Sequence, residues 1–257
     1  MSETRATRLL LPNHVTACLF DLDGVLVEST GLHNAAWQAA LTEFLDRWAH
    51  HAGRTFASYD PARDYRDHLD GKPRVEGVRA FLASRGIELP LGDPDDPPDT
   101  ASAHGLANRK HALSTETIRG HGVRAYPESV RFLRAAKAAG MPVGLVTSSG
   151  NSDPLLRSAG LAGMFDILVD GRVAAARGLA GKPRPDTYLA GAALLGADPR
   201  HTAIFEDAEV GVTAGRAGGF GYVVGVDRLG NARALRELGA DIVVNELSEL
   251  LAAVDVG

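Results

Sequence analysis

Two aspartates one residue apart, Asp21 and Asp23, close the apolar run ACLF and are followed at once by Gly24. Carboxylates at the end of a buried strand are costly unless they are paired or bind a cation. Two more apolar runs end in polar groups: GLVTSS supplies Thr147 and Ser148, and AIFED supplies Glu206 and Asp207. Lys182 sits in the loop GKPRPD. Carboxylates, hydroxyls and one ammonium gathered in one place suit a hard divalent cation together with a phosphate. The period-two geometry of a strand sends positions 21 and 23 to the same side and Leu22 to the other. Each element taken singly also has a simpler reading. Paired aspartates cap turns, acidic pairs favour helix N-termini, threonines cap helices, and a loop lysine is often only solvated.

The elements that must position these residues follow from patterning. VTACLF, MPVGLVTSS, FDILVD, HTAIFED, GYVVGV and DIVV read as short buried strands, and helical segments such as PESVRFLRAAKAAG and PDTYLAGAALLG alternate with them. That alternation predicts an α/β fold, a Rossmann-like parallel sheet covered on both faces. Ligands of such sheets bind beyond the carboxyl ends of the strands, where the polar residues fall. The stretch between the first strand and the rest reads differently. Gly31 to Ala52 carries Trp37, Leu41, Leu45 and Trp48 on one helical face, and helices are expected over Pro73 to Arg85 and Ala101 to Arg119. The connector GIELPLGDPDDPPDT between them has little prospect of regular structure. The expected organisation is a core of residues 1–29 and 122–257 with an inserted α-helical cap of residues 30–121.

Composition bounds the function. The 257 residues carry 27 basic and 32 acidic side chains, a formal charge of −5, with 45% apolar residues. That balance argues against general nucleic-acid binding. No apolar stretch reaches the roughly 18 residues of a membrane span, and the N-terminus lacks a signal-peptide core. A cytoplasmic protein with neither nucleic-acid nor membrane partner is expected. Cys18, the single cysteine, reads as a buried structural thiol.

In combination, DLDGVL, TSS, GKPRPD and FEDAEVG resemble the four ordered motifs of the haloacid dehalogenase superfamily, over most of the chain. The resemblance implies Asp21 as the nucleophile that forms an aspartyl phosphate and Asp23 as general acid and base. It implies Thr147, Ser148 and Lys182 as ligands of the transferring phosphoryl group. Mg2+ would be held by Asp21, Glu206, Asp207 and the main-chain carbonyl of Asp23. Within the superfamily, DLDGVLVESTGLHNAAW, LDGKPRVEG, LANRKHAL and SSGN resemble the β-phosphoglucomutase group. That likeness implies substrate-binding roles for His33, Trp37, Arg74, Gly77, Lys110, Ser149 and Asn151, with Arg74, Ser149 and Asn151 on a second phosphate. Gly77 and Gly150 depart from the group, which has serine and lysine there; Lys72 or Arg79 would have to compensate, or the substrate differs.

The activity so implied is Mg2+-dependent isomerisation of β-glucose 1-phosphate to glucose 6-phosphate through the 1,6-bisphosphate, by a monomer or weak homodimer. A sugar-phosphate phosphatase uses the same chemistry with water as acceptor. A catalytically silent phosphosugar-binding protein would keep the fold alone. A mutase must hold two phosphates at once and a phosphatase need not, so a second anion site separates the first two.

Overall fold

A computed structural model describes residues 7–150 and 152–253, so Asn151 lies outside the described residues. The chain divides into two compact units, one running to Glu28 and resuming at Arg124, the other spanning Ser29–Val123.

The first unit holds a six-stranded sheet. Its strands are β2 (Ala17–Phe20), β3 (Val143–Val146), β4 (Ile167–Val169), β5 (Thr202–Glu206), β6 (Tyr222–Val226) and β7 (Ile242–Val244). The order is β4-β3-β2-β5-β6-β7 and every pairing is parallel. Phe20 registers with Leu145 on one side and Phe205 on the other, so β2, β3 and β5 end side by side. The rings of Phe20 and Phe205 stack at 4.5 Å, and Phe132 packs tilted on Phe205 at 5.0 Å. Buried aliphatic strands of this kind need cover on both faces. It comes from α4 (Pro127–Ala138), α5 (Ser152–Ser158), α6 (Gly171–Ala176), α7 (Asp186–Leu195), α8 (Glu209–Ala217) and α9 (Ala232–Glu237). A separate antiparallel pair joins β1 (Thr7–Leu9) to β8 (Leu251–Ala253). This pair and α6 are too short to leave a periodic signal, and patterning alone did not reveal them.

The second unit contains α1 (Thr30–Ala52), a π-helix (Tyr65–Leu69), α2 (Arg74–Ala83) and α3 (Ala103–His121). The expected face of α1 is the buried one: Trp37, Leu41 and Leu45 pack with Phe81, Leu82 and Leu106, and Trp48 lies partly buried against them. Each such side chain contributes roughly 1.5–3 kcal/mol on burial. The proline-rich connector forms neither helix nor strand. Among the described residues no helix is long and apolar enough to cross a membrane.

One polar feature lies under this apolar cluster. The carboxylate of Asp64, 1% exposed, receives both terminal nitrogens of Arg85 and the Asp60 main-chain N–H at 2.8 Å. Arg85 lies flat on Phe81, 4.0 Å from the ring centre, and donates to the Ser58 carbonyl at 3.2 Å. Burial alone raises the Asp64 pKa, but these hydrogen bonds and the guanidinium charge outweigh it and hold the carboxyl below its ordinary value. The ionised form therefore stabilises the fold fully above the ordinary carboxylate pKa of about 3.9, and its contribution is lost as pH falls through the lowered value. Asp64→Asn leaves Arg85 buried without its anion, which costs about 3–5 kcal/mol. Urea unfolding at neutral pH is expected to register that loss, with a flatter acid limb in the variant. A loss below about 1 kcal/mol, the scale of an exposed pair, contradicts the assignment.

Candidate active site

The site assembles at the carboxyl ends of the three central strands. Asp21 follows β2, and its main-chain N–H donates to the Phe205 carbonyl at 3.0 Å, fixing it beside the end of β5. Glu206 is the last residue of β5 and Asp207 the next. The carboxylates of Asp21, Glu206 and Asp207 come within 4.8 Å of one another, and all three residues are buried. Asp23 is half-buried and adds no carboxylate to this cluster.

Lys182, 1% exposed, inserts its ammonium between two of these carboxylates. Nζ donates to Asp21 Oδ1 at 2.6 Å and to Glu206 Oε1. Burial opposes the charge on Lys182, yet the two carboxylates outweigh it and push the pKa above its ordinary value. Asp21 is held well above the carboxylate range, first by burial and further by Glu206 and Asp23, with Lys182 pulling the other way. The balance has a chemical consequence. Three buried carboxylates share one ammonium, so full ionisation leaves an excess of two negative charges. Oxygen donors with that excess fit a divalent hard cation.

Several groups that hold this arrangement carried no readable signal. Tyr188 on α7 is fully buried and donates its hydroxyl to Glu206 Oε1 at 2.6 Å; in sequence it is one more core aromatic. The Ala208 N–H donates to Glu206 Oε2 at 3.3 Å. Two glycines make room for the acids. A Cβ on Gly24 (φ +76°) would lie 1.7 Å from Asp207 Oδ2, and one on Gly211 of α8 would lie 1.9 Å from Glu206 Cδ.

Thr147 follows β3, is 2% exposed, and accepts the Ser149 N–H at its hydroxyl oxygen at 3.1 Å. Ser148 and Ser149 lie beside it, half-buried. Their loop is fastened to the start of α6, where the Gly171 N–H donates to the Ser149 carbonyl at 3.0 Å. Arg172 Nε donates to the Gly150 carbonyl at 3.0 Å. Asp170 caps α6 and accepts the Ser152 hydroxyl at 2.9 Å.

In the helical unit, three expected residues meet. Lys110, 5% exposed, places Nζ 3.0 Å from His33 Nδ1 and 5.3 Å from the centre of the Trp37 ring. An ammonium that donates to Nδ1 requires an unprotonated nitrogen there, so a neutral His33 carries its proton on Nε2. Arg74 opens α2, and its Nη1 is buried without a hydrogen-bond partner. Burial pulls its pKa below the ordinary value. An orphaned guanidinium nitrogen of this kind is costly unless an anion meets it. Gly77 is buried one turn later, where a Cβ would come 3.2 Å from Leu69 Cδ2. It allows α2 to approach the π-helix and offers no side chain of its own.

A model of haloacid dehalogenase-like hydrolases matches residues 15–219. A protein of Mycobacterium bovis described as beta-phosphoglucomutase is 46% identical over 252 residues, 97% of this chain and 96% of its own length. Hexitol phosphatase A of Escherichia coli is 30% identical over 233 residues, 90% of this chain and 91% of its own length. Among solved structures, beta-phosphoglucomutase from Clostridium difficile has a TM-score of 0.70 at 22% identity, covering 92% of this chain and 93% of that one. The last is a likeness of fold.

Gly211 supplies a test in which two effects have opposite signs. Helix propensity favours alanine over an interior glycine by about 1 kcal/mol. Contact with the Glu206 carboxylate argues the other way, because the collision is with a buried group that accepts three hydrogen bonds. Gly211→Ala is expected to lower the melting temperature. A stabilised variant contradicts the packing argument.

Proposed function

The chain belongs to the haloacid dehalogenase-like hydrolases, and on that premise we propose that it is a Mg2+-dependent β-phosphoglucomutase working through an aspartyl phosphate on Asp21. The observation that carries the reading is the buried Asp21–Lys182–Glu206 arrangement, hydrogen-bonded through one ammonium at adjacent strand ends. The near-full-length relative described as beta-phosphoglucomutase supports the choice of reaction.

In this reading an Asp21 carboxylate oxygen attacks phosphorus, the bond from phosphorus to the sugar oxygen breaks, and Asp23 donates a proton to that oxygen. In the second half a sugar hydroxyl attacks the phosphoryl group, Asp23 takes its proton, and Asp21 is released. Dividing one displacement into two replaces a very slow hydrolytic step with two easier ones. Lys182, Thr147 and Ser148 hold the phosphoryl oxygens, where fixed donors act on developing charge. Asp21, Glu206, Asp207 and the main-chain carbonyl of Asp23 would hold Mg2+, whose charge, when bound, offsets repulsion between the nucleophile and the phosphoryl group. His33, Trp37, Arg74, Gly77, Lys110, Ser149 and Asn151 are proposed as substrate-binding positions. Arg74 is the leading candidate for a second phosphate, because a guanidinium fork with a vacant buried N–H matches phosphate oxygens.

A second reading has support of its own. Hexitol phosphatase A is a phosphatase by description, and water in place of the sugar hydroxyl converts the same chemistry to hydrolysis.

The assay that separates them supplies β-glucose 1-phosphate, Mg2+ and a catalytic amount of the 1,6-bisphosphate. Glucose 6-phosphate is expected to form far faster than free phosphate; rapid phosphate release without it overturns the mutase reading. Asp21→Asn is expected to abolish both outputs. Arg74→Met is expected to lower kcat/KM for isomerisation by about 10²-fold, the scale of a lost charged contact in the transition state, while hydrolysis of acetyl phosphate changes little. Equal losses on both substrates contradict the role given to Arg74.

A further inference from the structure

We infer that Arg228 is a positioning residue that fixes the turn carrying Asp23, an inference that rests on the acid–base reading of Asp23 above. Arg228 lies beyond β6 and 204 residues from Gly24 in sequence, yet its Nε donates to the Gly24 carbonyl at 2.7 Å. Two hydrogen bonds, a ring contact and a nearby carboxylate from different segments surround the guanidinium, and Nη2 alone of its nitrogens is buried without a hydrogen-bond partner. Nη1 donates to the Asn245 carbonyl at 3.0 Å, just past β7. Nη2 lies 3.5 Å from Glu128 Oε1 in the first turn of α4. The plane lies on the Tyr126 ring, 3.7 Å from its centre, and the side chain is 13% exposed.

Gly24 is the neighbour of Asp23 and has little freedom. It adopts φ +76°, its N–H donates to the Val27 carbonyl at 3.0 Å, and its Cα is close against the Asp207 carboxylate. The turn is thus bounded by Asp207 on one side and tied to Arg228 on the other. A charge-assisted bond to a carbonyl is stronger than a neutral one. The flat fork bonds Gly24 and Asn245 together while its charge lies near Glu128, which a lysine's single ammonium does not reproduce. Loosening the turn misplaces the Asp23 carboxylate and leaves Asp21, on the preceding strand end, where it is; because the Asp23 carbonyl is one of the four proposed Mg2+ donors, both substrates are compared at saturating Mg2+.

That asymmetry gives a signature that general destabilisation does not. Breaking a sugar–phosphate bond requires a proton on the departing oxygen, and acetate leaves acetyl phosphate without one. Arg228→Met is expected to lower kcat/KM with β-glucose 1-phosphate by about 10- to 100-fold, the cost of a displacement near 1 Å at a proton-transferring group, while acetyl phosphate hydrolysis stays within about threefold. Arg228→Lys is expected to show the same selectivity at smaller amplitude, and it carries the test if the methionine variant does not fold. Asp23→Asn sets the benchmark, with stronger selectivity in the same direction. Equal losses on both substrates in a folded Arg228 variant, or no loss on the sugar phosphate, overturn the inference while a selective Asp23→Asn leaves the acid–base reading standing. An unselective Asp23→Asn overturns that reading, and the inference with it.

Discussion

The ammonium of Lys182 is the charge around which the core is arranged. It lies 1% exposed and bonds to both Asp21 and Glu206. Removing one member of such a buried set strands the others, at about 3–5 kcal/mol, so the ends of β2 and β5 and the loop before α7 cannot separate cheaply. Tyr188 and the Ala208 N–H complete the coordination of Glu206. One side chain thus ties the ends of the two central strands together and opposes the rise in the Asp21 pKa that burial causes. The same ammonium serves the proposed chemistry, as a fixed positive charge beside the carboxylate that meets phosphorus.

Backbone geometry does the rest of the positioning. The register of β2 with β3 and β5 brings Asp21 level with Glu206 and within one residue of Thr147. Gly24 and Gly211 then admit carboxylates where a Cβ would collide. Acidic groups are packed against main chain in this way because hydrogen bonds and a compensating charge replace the water they lose. The helical unit meets the same demand differently: both terminal nitrogens of Arg85 bond to Asp64, with only its Nε unmet, whereas Arg74 leaves a terminal nitrogen, Nη1, unmet.

The parallel sheet was legible because its strands are short, continuous apolar runs that end in polar residues, and Asp21, Lys182, Glu206 and Asp207 were legible because carboxylates and a lysine are conspicuous at such ends. Trp37, Leu41 and Leu45 marked the buried face of α1 by spacing alone. Tyr188 and Arg228 were not legible. Each acts through a partner distant in sequence, and neither residue type nor local period distinguishes a tyrosine on Glu206 from any core aromatic. The π-helix at Tyr65–Leu69 escaped for a related reason. Its pattern differs from an α-helix by a single residue per turn, and the Asp64–Arg85 pair beside it closes over 21 residues.

The central claim is that the phosphoryl group passes through Asp21, and chemical trapping tests it most directly. Wild-type protein turning over β-glucose 1-phosphate with Mg2+ and bisphosphate is quenched into borohydride, which reduces an acyl phosphate to the alcohol, and its peptides are sequenced by mass spectrometry. Homoserine in place of aspartate at position 21 is the expected result. Unmodified Asp21 during sustained turnover, or reduction at a different carboxylate, would contradict it.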